Sequence, residues 1–391
     1  MGDRIKTQIA IIGAGPAGLF LSLALKSRGI TSVVLEKHTR DHVEGRVRAG
    51  VLERGTVAFM EELGLAARLH RECLRHTGVN LAVDGEVFRI DFERHTSASA
   101  VTIYGQAEVM KDLFAAASHA QIEIIFEAED VNVEDVTFAP SLTFTSAGQR
   151  RTVDAQFIVG CDGWHGISRN LIPPHARNII ERTYDFGWLG LLAQAPPCAS
   201  EIIYANHHRG FALASMRSTT RSRYYVQCKQ PASLKEWSDD RIWDELSQRL
   251  GTSLAAKLTR GPTLEKSFTP LRSAVCEPMN FGRLFLAGDA AHILPPTGAK
   301  GLNLAVHDVK LLAQAFADYF ATDSSTRLNT YSKRALTRAW QAARFSWWLT
   351  ELMHHFPDRD EFTRKVWRAE LDRLRFSQTA QKNFAENYVG L

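Results

Sequence analysis

The sequence predicts a mixed α/β fold: a Rossmann-like nucleotide-binding domain, an inserted β-sheet domain and C-terminal helices. Three observations predict it. A glycine-rich turn joins an apolar strand to a helix near the start of the chain. Short β-rich runs fill much of the middle. From Gly301 onward the pattern is helical and almost free of glycine.

The opening segment reads as a βαβ unit, with a strand over residues 8–12, a helix over 19–27 and a second strand over 32–35. Gly13-Ala14-Gly15-Pro16-Ala17-Gly18 follows the first strand and opens the helix. Backbone amides and the helix start can therefore approach a pyrophosphate without Cβ obstruction. Glu36 ends the second strand 18 residues after Gly18, where a dinucleotide fold keeps its acceptor for ribose hydroxyls. This fingerprint alone leaves FAD and NAD both open.

Two later segments separate them. Asp162-Gly163 follows an apolar run and leads to His165 and Ser168-Arg169. Gly288-Asp289-Ala290-Ala291-His292 follows a strand over residues 283–287. A carboxylate at such a strand end, Asp289, can accept hydrogen bonds from the ribityl hydroxyls of a flavin, a group NAD lacks. Because these pieces are far apart in sequence, the FAD-binding domain is expected to be discontinuous, over 1–78, 98–183 and 270–320. The substrate-binding sheet domain is expected over 79–97 and 184–269, with a helical interface region over 321–391.

With 45% hydrophobic and 23% charged residues over 391 positions, the chain has globular composition. A formal charge of +4 without a long Lys or Arg run argues against a nucleic-acid partner. The first apolar run is too short for a membrane span or a signal peptide, so a cytoplasmic enzyme is expected. Five cysteines at least 30 residues apart, with no Cys-x-x-Cys pair, argue against a metal site and point to buried thiols.

Taken with Gly45-Arg46-Val47-Arg48-Ala49-Gly50, the Glu201 to Arg217 stretch, the Gly282 to Leu304 stretch and the last six residues, these signatures resemble the 4-hydroxybenzoate 3-monooxygenase (para-hydroxybenzoate hydroxylase) family of flavoprotein aromatic hydroxylases. The resemblance runs over nearly the whole chain, residues 7–391. It implies conversion of 4-hydroxybenzoate to 3,4-dihydroxybenzoate with O2 and NAD(P)H through a flavin C4a-hydroperoxide. Ser215 and Arg217, two apart on an apparent strand, would share a face and, with Tyr225, resemble the family's carboxylate clamp. Tyr204 and Tyr388 resemble its tyrosine pair at the phenol end, with the Pro296 carbonyl near the same oxygen and His76 ending the proton relay.

For the cofactor, the resemblance implies contacts from Gly13, Gly15, Ala17, Gly18, Glu36, Arg46, Arg48, Gln106, Asp289, Lys300, Leu302 and Asn303. Lys300 and Asn303 would modulate flavin charge and position. Lys37, His42, His165 and Arg272 resemble nicotinamide-cofactor contacts. Cationic Lys37 and Arg40 favour a 2′-phosphate, whereas His42 stands where NADPH-strict members have tyrosine, so NADPH is expected to be preferred with NADH possible. A homodimer is implied as well. The readings kept beside this one are a related hydroxybenzoate or aminobenzoate hydroxylase, a non-catalytic binding protein of the same fold, and a plain NAD-dependent dehydrogenase, which would leave Gly288-Asp289 unexplained.

Overall fold

The computed structural model describes residues 4–45, 50–230 and 234–391. Arg46 and Arg48 lie outside the described residues.

The apolar run near the start forms the Arg4–Ile12 strand, which sits at the centre of the first sheet. Five parallel strands run side by side in the order Leu284–Leu286, Gln149–Gly160, Arg4–Ile12, Ser32–Leu35 and Glu123–Ile125. The central strands carry near-continuous buried Val, Ile and Leu, as parallel strands covered on both faces do. The chain leaves Arg4–Ile12 for one neighbour and returns much later on its other side, so a crevice opens beyond the strands' carboxyl ends, where open α/β sheets bind ligands.

The second sheet is mostly antiparallel, in the order His292–Ile293, Thr263–Glu277, Asn178–Ala193, Arg221–Lys229, Ala212–Ser218, Ile203–Asn206, Gly78–Val83 and Glu86–Asp91. Its alternating residues feed two separate cores, as the two-residue period of a strand requires. Ala212, Ala214, Tyr224 and Val226 pack with Trp243 and Leu246 of the Asp239–Leu250 helix. Trp188, Tyr204, Phe211 and Leu213 face the other way, toward Phe345, Leu349, Phe384 and Tyr388 of the C-terminal helices.

The expected boundaries at 183/184 and 269/270 fall inside two long strands, Asn178–Ala193 and Thr263–Glu277. They coincide with a register shift, in which Thr183 opposes Arg272 and the next pair is Gly187 with Pro270. The two regions are thus joined by continuous strands. The C-terminal helices are not a separate layer either. The Thr326–Met353 helix gives Leu328, Tyr331 and Ala335 to the nucleotide core, and Phe345, Leu349 and Met353 to the other. Of the aromatic cluster near its end, Phe345 is buried and Trp347 faces outward. Cys161, Cys198, Cys228 and Cys276 are buried free thiols, and Cys73 is partly so. Among the described residues no helix is long and apolar enough to cross a membrane.

Two fingerprint glycines differ in what they make room for. A Cβ on Gly18 would lie 1.9 Å from the Gly13 carbonyl oxygen, whereas one on Gly15 meets no protein atom within 4 Å. Gly18→Ala should therefore lower stability by about 2 kcal/mol through overpacking. Gly15→Ala, which loses only a mild N-cap preference, should change it by less than about 1 kcal/mol. Urea unfolding of the two cofactor-free variants checks this, and equal losses would contradict it.

Candidate active site

The nucleotide edge is assembled at the carboxyl ends of the parallel strands. Gly13 adopts φ +105° and a Cβ there would strike the Cys161 backbone at 2.5 Å, so only glycine lets the first turn pass the Asp162 segment. The Glu36 carboxylate is buried and oriented by the Ala14 N–H, which donates to Oε2 at 2.7 Å, and the His38 N–H, which donates to Oε1 at 2.9 Å. Ala17 reaches across to the turn that holds Asp289: a Cβ on Gly288 would touch the Ala17 Cβ at 3.2 Å.

Two helices begin at this edge without a side-chain cap, Pro16–Lys26 after Gly15 and Gly301–Thr322 after Lys300. Their first-turn amides, which include Leu302, are left for an anion or a polar ring edge. The open space beside Gly15 and Gly301, where a Cβ would meet nothing within 4 Å, is consistent with a bound group lying against both. Gln106 is the first residue of the Gln106–His119 helix. It follows Tyr104, whose N–H donates to the Gly50 carbonyl at 2.9 Å, next to the segment that carries Arg46 and Arg48. These residues fit FAD.

Lys300 and Asn303 are both buried at this edge. The buried Lys300 ammonium pairs with Glu53 at 2.6 Å and donates to the carbonyls of Asn387 at 2.6 Å and Tyr388 at 3.0 Å. Burial pulls its pKa down and Glu53 opposes that shift. Asn303 Oδ1 accepts from the Glu53 N–H and the Thr56 hydroxyl, while its amide donates to Val51 and Ala299 carbonyls. Both side chains are therefore committed to protein partners, since a buried ammonium or amide must find compensation. What they do is tie the C-terminal helix to the loop before Gly301–Thr322.

The other half of the site lies on one face of the second sheet. Register puts Leu81, Tyr204, Leu213, Tyr225 and Gly190 in one row across five strands, and Phe211, Ser215, Trp188 and Arg223 two residues away share that face. The aromatic rings form a continuous wall. Centroid separations are 6.3 Å for Tyr388–Tyr204, 6.0 Å for Tyr204–Phe211, 5.0 Å for Phe211–Trp188 and 4.9 Å for Trp188–Tyr225.

Two arginines stand at the Tyr225 end, and their partners distinguish them. Arg223 is 3% exposed and paired with a carboxylate, Nη1 donating to Glu265 at 3.1 Å and Nη2 to the Ser267 hydroxyl at 2.7 Å. Arg217 donates to the Ser215 hydroxyl at 3.3 Å, as their shared face predicts, and lies beside the Tyr225 hydroxyl. Among the described residues it has no carboxylate partner. Burial pushes its pKa down, and the Arg223 charge pushes the same way. Arg217 is thus a half-buried guanidinium with hydroxyl neighbours and no protein anion among the described residues.

At the opposite end of the wall, the Tyr204 and Tyr388 hydroxyls are 3.2 Å apart and both rings are buried. Burial raises both phenol pKa values, that of Tyr388 to about 12. The Tyr204 hydroxyl donates to the Thr297 carbonyl at 2.9 Å. The Pro296 carbonyl accepts from the Ala299 N–H at 2.9 Å, and Thr297 is the loop residue whose carbonyl bonds to Tyr204. His76 makes no direct hydrogen bond to either tyrosine. Its Nε2 lies 3.1 Å from the Met216 sulfur, and its Nδ1 is buried with no protein partner. Burial lowers its pKa to about 4, so the ring is neutral and can accept a proton.

His165 is exposed beside Trp164, and the Arg272 guanidinium lies 5.1 Å over the Trp164 ring, on the side of the crevice away from Glu36. Lys37 and His42 are exposed just past Glu36. Sequence reasoning gave no role to Glu53, Thr297, Arg223 or His354. His354 accepts from Trp188 Nε1 at 2.7 Å and braces the aromatic wall from behind. Glu53 and Lys300 are 247 positions apart, a pairing that no local spacing reveals.

Comparison with known proteins matches this architecture. The model of an FAD binding domain matches residues 6–346. The p-hydroxybenzoate hydroxylase of Acinetobacter baylyi is 47% identical over 389 residues, which cover 100% of this chain and 96% of that protein. A probable NADH-specific resorcinol 4-hydroxylase of Rhodococcus jostii is 24% identical, over 84% of this chain and 62% of that protein. The crystal structure of p-nitrophenol 4-monooxygenase from Pseudomonas putida shares the fold, with a TM-score of 0.83 and 17% identity over 99% of both chains. An edge shaped for a dinucleotide and a sheet face shaped for a small aromatic acid are the two halves such an enzyme needs, and the chain belongs to the flavoprotein aromatic hydroxylase family, as an FAD-dependent monooxygenase.

Proposed function

We propose that the protein hydroxylates 4-hydroxybenzoate at the ring carbon beside its phenol, consuming one O2 and one reduced nicotinamide and releasing 3,4-dihydroxybenzoate, water and the oxidised nicotinamide. The observation that carries this reading is the placement of an unneutralised Arg217 and a buried tyrosine pair at opposite ends of one aromatic wall. The 47% identity to the Acinetobacter p-hydroxybenzoate hydroxylase supports the same substrate.

In this reading Arg217, Ser215 and Tyr225 bind the carboxylate, a charge-assisted contact that a neutral phenol could not make. The substrate phenol donates to Tyr204, whose own hydroxyl turns from Thr297 to Tyr388, and the proton passes from Tyr388 through bound water to the neutral His76. The phenolate left behind donates electron density into the ring far more strongly than the phenol. Gly13, Gly15, Ala17, Gly18 and Glu36 would hold the adenosine and pyrophosphate of FAD, and Asp289 its ribityl chain. Gln106, Leu302 and the Lys300 and Asn303 segment would line the ring, with Arg46 and Arg48 as further contacts. When bound, FAD accepts hydride from the nicotinamide and activates O2 for transfer of one oxygen atom. The surrounding side chains keep water from that transfer.

With 4-hydroxybenzoate, NADPH and O2, the parent protein should form 3,4-dihydroxybenzoate nearly one for one with NADPH. Arg217→Ala should weaken 4-hydroxybenzoate binding by about 3 kcal/mol, roughly 100-fold, because a buried carboxylate is left unpaired. Unchanged affinity would move the clamp elsewhere. Tyr204→Phe should still consume NADPH but release mostly hydrogen peroxide, and tight coupling in that variant would remove Tyr204 from proton transfer.

NADPH is the preferred reductant in this reading. Lys37 is exposed next to Glu36 and available to a 2′-phosphate, while Arg40 pairs with Glu44 at 3.5 Å and stacks over Phe114. His42, His165 and Arg272 complete the nicotinamide contacts. A larger kcat/KM with NADH would overturn the preference. The chain also forms a cytoplasmic homodimer in this reading. Phe362 at 77% and Phe376 at 75% exposure leave large apolar surface on the Glu361–Phe376 helix, suited to a second copy. Sedimentation as a monomer at micromolar concentration would contradict it.

A further inference from the structure

Behind the Gly288–Ala290 turn, two charged side chains are sealed from solvent. His292 is 1% exposed and Asp308 0%. His292 Nε2 donates to Asp308 Oδ2 at 2.8 Å, and the same oxygen accepts the Gly288 N–H at 2.9 Å. Removing two charges from water is costly even when they pair, so a buried pair is poorly explained as a simple source of stability. Its position suggests another use, because each partner sits on a different element. Asp308 is on the Gly301–Thr322 helix, and His292 is on the short strand that pairs with Thr263–Glu277 at the end of the second sheet. The Gly288 turn lies between them.

That turn has little freedom of its own. Gly288 adopts φ +62°, and a Cβ there would sit 3.2 Å from both Ala17 and Ala305. Its backbone is wedged between the fingerprint helix and the Gly301–Thr322 helix, and its N–H direction is fixed by Asp308. Asp289 is the next residue, so whatever holds the Gly288 N–H also aims the Asp289 carboxylate. Burial alone would strip the proton from His292, but the Asp308 carboxylate, with Asp289 adding to it, outweighs burial and raises its pKa.

We propose that Asp308 and His292 form a positioning couple for the cofactor, holding the Gly288 turn so that Asp289 meets the FAD ribityl chain, and linking that contact to the last strand of the substrate sheet. The couple touches neither FAD nor substrate. The inference rests on the reading of Asp289 as a ribityl contact, and its test separates the two.

FAD release is followed by the recovery of flavin fluorescence when holoenzyme is diluted, well below the unfolding midpoint of each variant. Asp289→Ala should raise the Kd for FAD at least tenfold. An unchanged Kd there overturns the ribityl reading and the couple with it. His292→Leu and Asp308→Asn should each raise the Kd about tenfold or more, while His292→Gln, which keeps a donor near the Nε2 position, should stay within about threefold of the parent. Once saturated with FAD, these variants should bind 4-hydroxybenzoate with parental affinity, an outcome that general loosening of the fold would not give. If His292→Leu fails to fold, Asp308→Asn carries the test, since it keeps the shape and an acceptor for Gly288 but loses the charge. A parental Kd for FAD in Asp308→Asn, alongside a weakened Asp289→Ala, overturns the couple.

Discussion

The unneutralised charge of Arg217 is the constraint around which the substrate half is organised. Its neighbour Arg223 has its charge paired inside the protein, by Glu265, with a further bond to Ser267. Arg217 receives only hydroxyls from within the protein. Leaving a cation in that state is unfavourable unless an anion arrives, so the cost of the empty site becomes selectivity for a carboxylate when the site fills. The aromatic wall from Tyr225 to Tyr388 then sets where the far end of a flat ring must fall.

That far end is held from two directions. Lys300 donates to the carbonyls of Asn387 and Tyr388, and it is anchored by Glu53, which also pairs with Arg338 at 3.0 Å. The loop after Asp289 bonds to Tyr204 through Thr297. The Thr350 hydroxyl donates to the Thr297 hydroxyl at 3.0 Å, which joins this loop to the Thr326–Met353 helix. The tyrosine pair is thereby tied to the segment that opens the Gly301–Thr322 helix at the nucleotide edge. Packing alone could fill the space, but it would not fix two hydroxyls 3.2 Å apart against a loop that borders the cofactor.

Much of this was legible in the sequence because it is local. The glycine turn, Glu36 at the next strand end and the Gly-Asp dipeptide behind an apolar strand are short-range patterns with direct backbone causes. Ser215 and Arg217 share a face simply because strands alternate. What escaped was long-range or carried by the main chain. The Thr297 carbonyl, which accepts from Tyr204, has no side-chain signature. The Lys300 pairing with Glu53 bridges 247 positions, which no local pattern reveals. The sheet was expected as an insertion in the nucleotide domain, and Asn178–Ala193 and Thr263–Glu277 run through the expected boundaries at 183/184 and 269/270. Strand length across a register shift depends on pairing that no single segment encodes.

The central claim is that one sheet face grips a carboxylate with Arg217 while Tyr204 draws the proton from a phenol across the ring. Its most direct measurement is the ultraviolet absorbance of 4-hydroxybenzoate bound to the FAD-loaded protein, titrated with pH beside the free ligand. The account predicts that the phenolate band of the bound ligand appears at a lower pH than in water, and that this shift is lost in Tyr204→Phe. A bound ligand that ionises at the same pH as the free one, in the parent protein, would contradict it.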